Sequence, residues 1–131
     1  MEISTQTLLM EIKKCHPVYE YKAKITNVVD GDTFDFEIDL GFGISYKNRL
    51  RLYGVDTPEV RGEERIEGLR VKDHLIKLIE GKDVILKSKK WRGKYGRFIA
   101  EVKFRRFTGD VFGTDLGNYL VTEKMARRVD Y

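Results

Sequence analysis

Residues 19–53 read YEYKAKITNVVDGDTFDFEIDLGFGISYKNRLRLY, and their two-residue periodicity decides the architecture. From Tyr19 to Val29, β-branched or aromatic residues occupy many alternate positions, as a half-buried strand requires. Asp30-Gly31 supplies a turn, because glycine accepts positive φ and aspartate bonds back to nearby backbone. Thr33 to Leu40 sets Phe34, Phe36 and Ile38 against Asp35, Glu37 and Asp39, and Gly41-Phe42-Gly43 returns the chain into a strand from Ile44 to Tyr53. These segments predict a three-stranded antiparallel meander with one buried face.

Outward from the meander, the period changes after Pro58. Leu69, Leu75, Ile76 and Ile79 fall on one side of a helix that ends at Gly81, a C-cap signal. Gly68 lies inside that helix at a cost of up to about 1 kcal/mol, which implies close packing of helix on sheet. Asp83 to Lys87 and Phe98 to Phe104 read as two more strands around a Gly- and Lys-rich Trp91 to Gly96 loop, and Thr114 to Met125 reads as a second helix. Five short strands with a helix after the third predict a β-barrel with helices, of the five-stranded OB-fold type. Upstream, residues 5–15 read as a short amphipathic helix ended by Cys15-His16-Pro17. The expected division is an N-terminal extension over 1–18 and one barrel domain over 19–131.

Composition narrows the function classes. With 35% charged and 41% hydrophobic residues the chain reads as a soluble globular protein, and no apolar run approaches bilayer-spanning length. Glu2, Glu11, Lys13 and Lys14 interrupt the stretch where a secretion signal would be apolar, so the cytoplasm is the expected location. The lone Cys15 has no internal disulfide partner. A monomer is expected from the lack of an apolar seam. Charge is divided unevenly: seven Lys and Arg face ten Asp and Glu in residues 1–60, against eighteen and eleven in residues 61–131. Lys87, Lys89, Lys90, Arg92, Lys94 and Arg97 follow one another with no acid between them, a footprint suited to a polyanion or, read plainly, to a solvated face.

Three clusters carry potential chemistry. Asp30-Gly31-Asp32-Thr33 is first of all a turn; Arg51-Leu-Tyr-Gly-Val-Asp56-Thr57-Pro58-Glu59 puts an arginine and two carboxylates at a strand end that Pro58 stops; and Lys94-Tyr95-Gly96-Arg97 is a basic turn opening a strand. In that order, and with the later Leu116-Gly-Asn-Tyr-Leu-Val-Thr-Glu-Lys-Met-Ala126 segment, they resemble the staphylococcal nuclease family from about Tyr19 onward.

The resemblance implies a calcium-dependent nuclease that hydrolyses phosphodiester bonds of DNA or RNA, single strands included, and leaves 3′-phosphate ends. It implies that Asp32, Asp56 and the main-chain carbonyl of Thr57 hold Ca2+, a hard cation that takes six to eight oxygens. His16 and His74 have no metal-like spacing, and His74 reads as a helix-surface residue. Arg51 and Arg97 match the family's two phosphate-gripping arginines and Glu59 its candidate general base, and Lys94 and Tyr95 are expected to contact the substrate. Trp91 suits either base stacking or covering the barrel end. The chain differs from the best-known secreted member in a longer hairpin over Asp39 to Asn48, in Gly93-Lys94 before Tyr95, and in ending at Tyr131 without a third helix. A non-catalytic nucleic-acid-binding barrel is the alternative, although intact acids in its pocket would repel phosphate unless a metal neutralised them.

Overall fold

Phe34, Phe36 and Ile38 are buried, while Asp35 and Glu37 on the opposite face pair with cations across the strand, so the alternation read from the sequence holds through β2 (Thr33–Gly41). Their partners Arg49 and Lys47 stand directly opposite on β3 (Ile44–Leu52), at 2.7 and 3.5 Å. The computed structural model describes residues 4–5, 19–90, 97–111 and 113–129. The helix expected over residues 5–15 falls almost wholly outside them, as do the 91–96 loop and Tyr131.

β1 (Glu20–Asp30) pairs antiparallel with β2 on one side and with β5 (Asp83–Lys90) on the other. β5 pairs with β6 (Phe98–Phe104), and β6 closes the circle by lying parallel to β3, Leu50 beside Phe98 and Leu52 beside Ala100. The result is a closed five-stranded mixed barrel with two helices, the expected OB-fold type. A separate short ribbon joins β4 (Val55–Asp56) to β8 (Arg127–Arg128). Ile25, Val28, Phe34, Leu50, Leu52, Val55, Leu75 and Ile79 are at most 1% exposed, so the barrel interior and the helix that plugs it form one core.

Two helical expectations are corrected. In α1 (Arg65–Ile79) the buried stripe is Gly68, Val71, Leu75 and Ile79, whereas Leu69 is exposed and Ile76 only flanks the core. The stripe runs through a glycine, which a count of apolar side chains passes over. The second helix is shorter than Thr114 to Met125: Thr114 and Asp115 form β7, which pairs with the end of β6, and α2 covers only Leu116–Thr122. The Asp115 carboxylate caps α2 by accepting the Asn118 amide at 2.9 Å, and Lys124 ends the segment with φ of 61°. His74 is not a free surface residue either, since its Nε2 meets the Tyr119 hydroxyl at 2.8 Å with the two rings stacked. No helix among the described residues is long and apolar enough to cross a membrane.

Leu50 sits where the parallel seam closes the barrel and has no exposure. Leu50→Ala is expected to lower unfolding free energy by about 2 to 5 kcal/mol, measured by denaturant titration.

Candidate metal and phosphate site

β1 is not a straight strand. Its pairing with β2 shifts register between Ile25 and Asn27 and again between Val28 and Asp30, and such irregularities bend a strand and re-aim the residues beyond them. The Glu80 carboxylate, just past α1, accepts the Val28 amide at 3.0 Å, which satisfies backbone at the second irregularity. The turn that follows is thereby pressed toward the loop after β4. A side chain on Gly31 would place its Cβ 2.6 Å from Thr57 Oγ1 and 2.8 Å from Val71 Cγ1, so only glycine allows this approach. Among the described residues Thr57 Oγ1, buried there, has no hydrogen-bond partner.

The close fit brings Asp32 to Arg51. Asp32 is only 7% exposed, and its Oδ2 accepts both Arg51 Nη1 at 2.7 Å and the Thr57 amide at 3.2 Å. Its Oδ1 accepts the Thr33 hydroxyl at 3.2 Å, and its main-chain carbonyl accepts the Leu52 amide at 2.8 Å. Arg51 reaches onward through Nη2 to Asp56 Oδ1 at 3.4 Å and the Val55 carbonyl at 3.3 Å. One guanidinium thus bridges the two carboxylates that the sequence sets 24 positions apart. The other oxygen of Asp56 is taken by Arg127, from Nη2 at 3.0 Å and Nε at 3.3 Å. Arg127 gets there because β8 pairs with β4, opposite Asp56 itself.

Residues 49–131, more than half of the chain, match the family described as staphylococcal nuclease homologue. The chain belongs to that family. No curated protein sequence matches it. Membership places the chain among nuclease-like or nucleic-acid-binding proteins. The matched region contains Arg51, Asp56, Thr57, Glu59 and Arg97 but begins after Asp32, which β2 delivers to the site through its pairing of Thr33 with Arg51.

Of the residues that the family resemblance picks out, the structure brings Asp32, Arg51, Asp56 and Thr57 into direct contact. Glu59 is exposed on the next stretch of chain, with its amide donated to Glu64 Oε2 at 2.9 Å. Arg97 is half-buried just before β6, whose first residue Phe98 lies beside Leu50, the neighbour of Arg51. Lys94, Tyr95 and Trp91 lie outside the described residues. Two residues were not picked out from sequence. Asp30 reads there as a turn residue, and only its nearness to Asp32 hints at more; Arg127 has no local signal, because its contact spans 71 positions.

Asp30 reports the electrostatics of the mouth. Its carboxyl is pushed above the usual carboxylate value, first by burial and then by the charge of Asp32, with Glu59 adding to the push; the Gly31 amide and Arg51 act the other way. Asp32 and Asp56 thus share Arg51, Arg127 takes the second oxygen of Asp56, and the charges of Asp32 and Glu59 both act on Asp30. Carboxylate oxygens are the donors that a hard divalent cation takes. Among the described residues no three His, Cys, Asp or Glu side chains converge as a complete ligand set, so two carboxylates and a main-chain carbonyl would need water and phosphate oxygens to fill a calcium shell.

A raised folded-state value means that protonated Asp30 favours the fold below its unfolded value, and that this stability is lost as pH rises through the folded value. Ionised Asp30 is then a liability at neutral pH. With chelator present, Asp30→Asn should raise the thermal midpoint at pH 7 by a few degrees, and the gain should vanish below about pH 4 in a pH series of melts.

Proposed function

We propose that the chain is a calcium-dependent nuclease that hydrolyses phosphodiester bonds of DNA, RNA or both and leaves 3′-phosphate ends. The observation that carries this reading is the half-buried Arg51 held between Asp32 and Asp56, at 2.7 and 3.4 Å. Asp32, Asp56 and the Thr57 carbonyl would hold calcium; the Thr57 amide bond to Asp32 ties two of these donors to one another. When bound, calcium supplies positive charge against phosphate oxygens as they gain negative charge.

The chain's own groups do the rest. Arg51 and Arg97 grip the scissile phosphate from two sides, because a guanidinium donates paired hydrogen bonds and keeps its charge. Each preorganised donor of this kind is worth roughly 3 kcal/mol of barrier. Arg51 needs no ordering of its own, since the two carboxylates already fix its plane. Glu59 accepts a proton from, or orients, the water that attacks phosphorus opposite the leaving 5′-oxygen. Lys94 and Tyr95 contact the substrate, single strands included. The protein acts as a monomer.

Labelled single-stranded DNA, duplex DNA and RNA, incubated with wild type and Glu59→Gln in calcium, magnesium or chelator, test the assignment. Cleavage that needs calcium and falls at least about a hundredfold in Glu59→Gln is the expected outcome. Binding without cleavage in every condition would leave a nucleic-acid-binding barrel in its place.

A further inference from the structure

Helix α1 touches the Glu59 segment backbone to backbone. A Cβ built on Gly68 would lie 2.0 Å from the Glu59 carbonyl oxygen, 2.4 Å from its carbon and 2.8 Å from the Val60 nitrogen. None of these atoms is the end of a flexible side chain, so no rotamer change relieves the overlap. With a Cα to Cβ bond of about 1.5 Å, Gly68 Cα is within about 3.5 Å of that oxygen, the range of Cα–H···O contact. The other end of the same residue is held as well, because the Glu59 amide donates to Glu64 Oε2 at 2.9 Å. Glu64 immediately precedes α1, and Gly68 is its first buried residue. Both backbone polar groups of Glu59 therefore meet α1 or the turn that leads into it, and the buried stripe that Gly68 opens continues into the core through Val71, Leu75 and Ile79.

A glycine inside an exposed helix turn is disfavoured by about 1 kcal/mol against alanine, so its presence calls for a local reason. Close packing of helix on sheet does not supply one, because the atoms that a Gly68 side chain would strike belong to the loop and not to a strand. We propose that Gly68 is a positioning residue for Glu59: by letting α1 reach van der Waals contact with the Glu59 peptide, it sets where that carboxylate stands relative to Asp32, Arg51 and Asp56. Glu64 assists from the amide side. The inference rests on the nuclease reading, in which Glu59 handles the attacking water.

Gly68→Ala tests it in two backgrounds, wild type and Glu59→Gln, with kcat, KM and hydrogen exchange at the Glu59 amide as readouts. Alanine must push the Glu59 peptide away, and a displacement near 1 Å costs on the order of a hundredfold in kcat with KM altered less than about threefold. In Glu59→Gln the same substitution should cost less than about twofold, since the group it positions is already disabled. Exchange at the Glu59 amide should quicken as its bond to Glu64 loosens. Equal kcat losses in both backgrounds, or an unchanged kcat in the first, would overturn the proposal. An inactive wild type would sink the nuclease reading alone; the amide exchange rate then decides, and an unchanged rate in Gly68→Ala overturns the seating. Should Gly68→Ala not fold, the exposed Glu64→Ala carries the same comparison: loss of kcat in wild type but not in Glu59→Gln supports the seat, and equal losses contradict it.

Discussion

The ion pair between half-buried Arg51 and buried Asp32 is the constraint on which the site depends. Taking a guanidinium and a carboxylate even partly out of water is costly unless each finds further partners, and here both do. Asp32 also accepts from Thr33 and Thr57, and Arg51 also reaches Asp56 and Val55. The pair therefore does more than neutralise itself. It joins the β1–β2 turn, the end of β3 and the β4 loop at one point. Such an arrangement spends desolvation energy to fix geometry, a sensible use where charged groups must act on a phosphate.

Packing makes that pair reachable. The parallel seam of β3 on β6 closes the barrel and brings Arg97 to the strand that neighbours Arg51. The irregular course of β1 aims the turn, and Gly31 removes the atoms that would keep it from Thr57. Helix α1 is the common backstop, with Val71 beneath Gly31 and Gly68 against Glu59. Two glycines, one in a turn and one in a helix, thus set the depth at which the acidic loop lies. Asp30 is affected by this depth, since burial first, and the charge of Asp32 second, raise its protonation equilibrium.

Much of this was legible in the sequence, and the parts that were not share a cause. The alternation holds through β2, whereas Ile44 to Arg49 of β3 are exposed on both faces. β3 ends at Leu52, before the Gly54 turn, so that Asp56 falls on β4 and not at an end of β3 set by Pro58. Leu69 misleads because its hydrophobicity is local while burial is decided by which face α1 turns to the barrel, a face that begins at a glycine. Thr114 and Asp115 pass for helix because only contact with β6 makes them strand. Arg127 is invisible for the same reason: a cation near the end of the chain meets Asp56 only after β8 has paired with β4. What a residue does alone or with near neighbours can be read; what it does across the barrel cannot.

Whether the carboxylates gathered around Arg51 take a divalent cation is read by calcium titration in a calorimeter, on wild type and on Asp32→Asn. One calcium bound per chain and a raised thermal midpoint are expected in wild type, both lost or sharply weakened in Asp32→Asn. No calcium binding by the wild type, or equal binding by the two proteins, would contradict a cation site there.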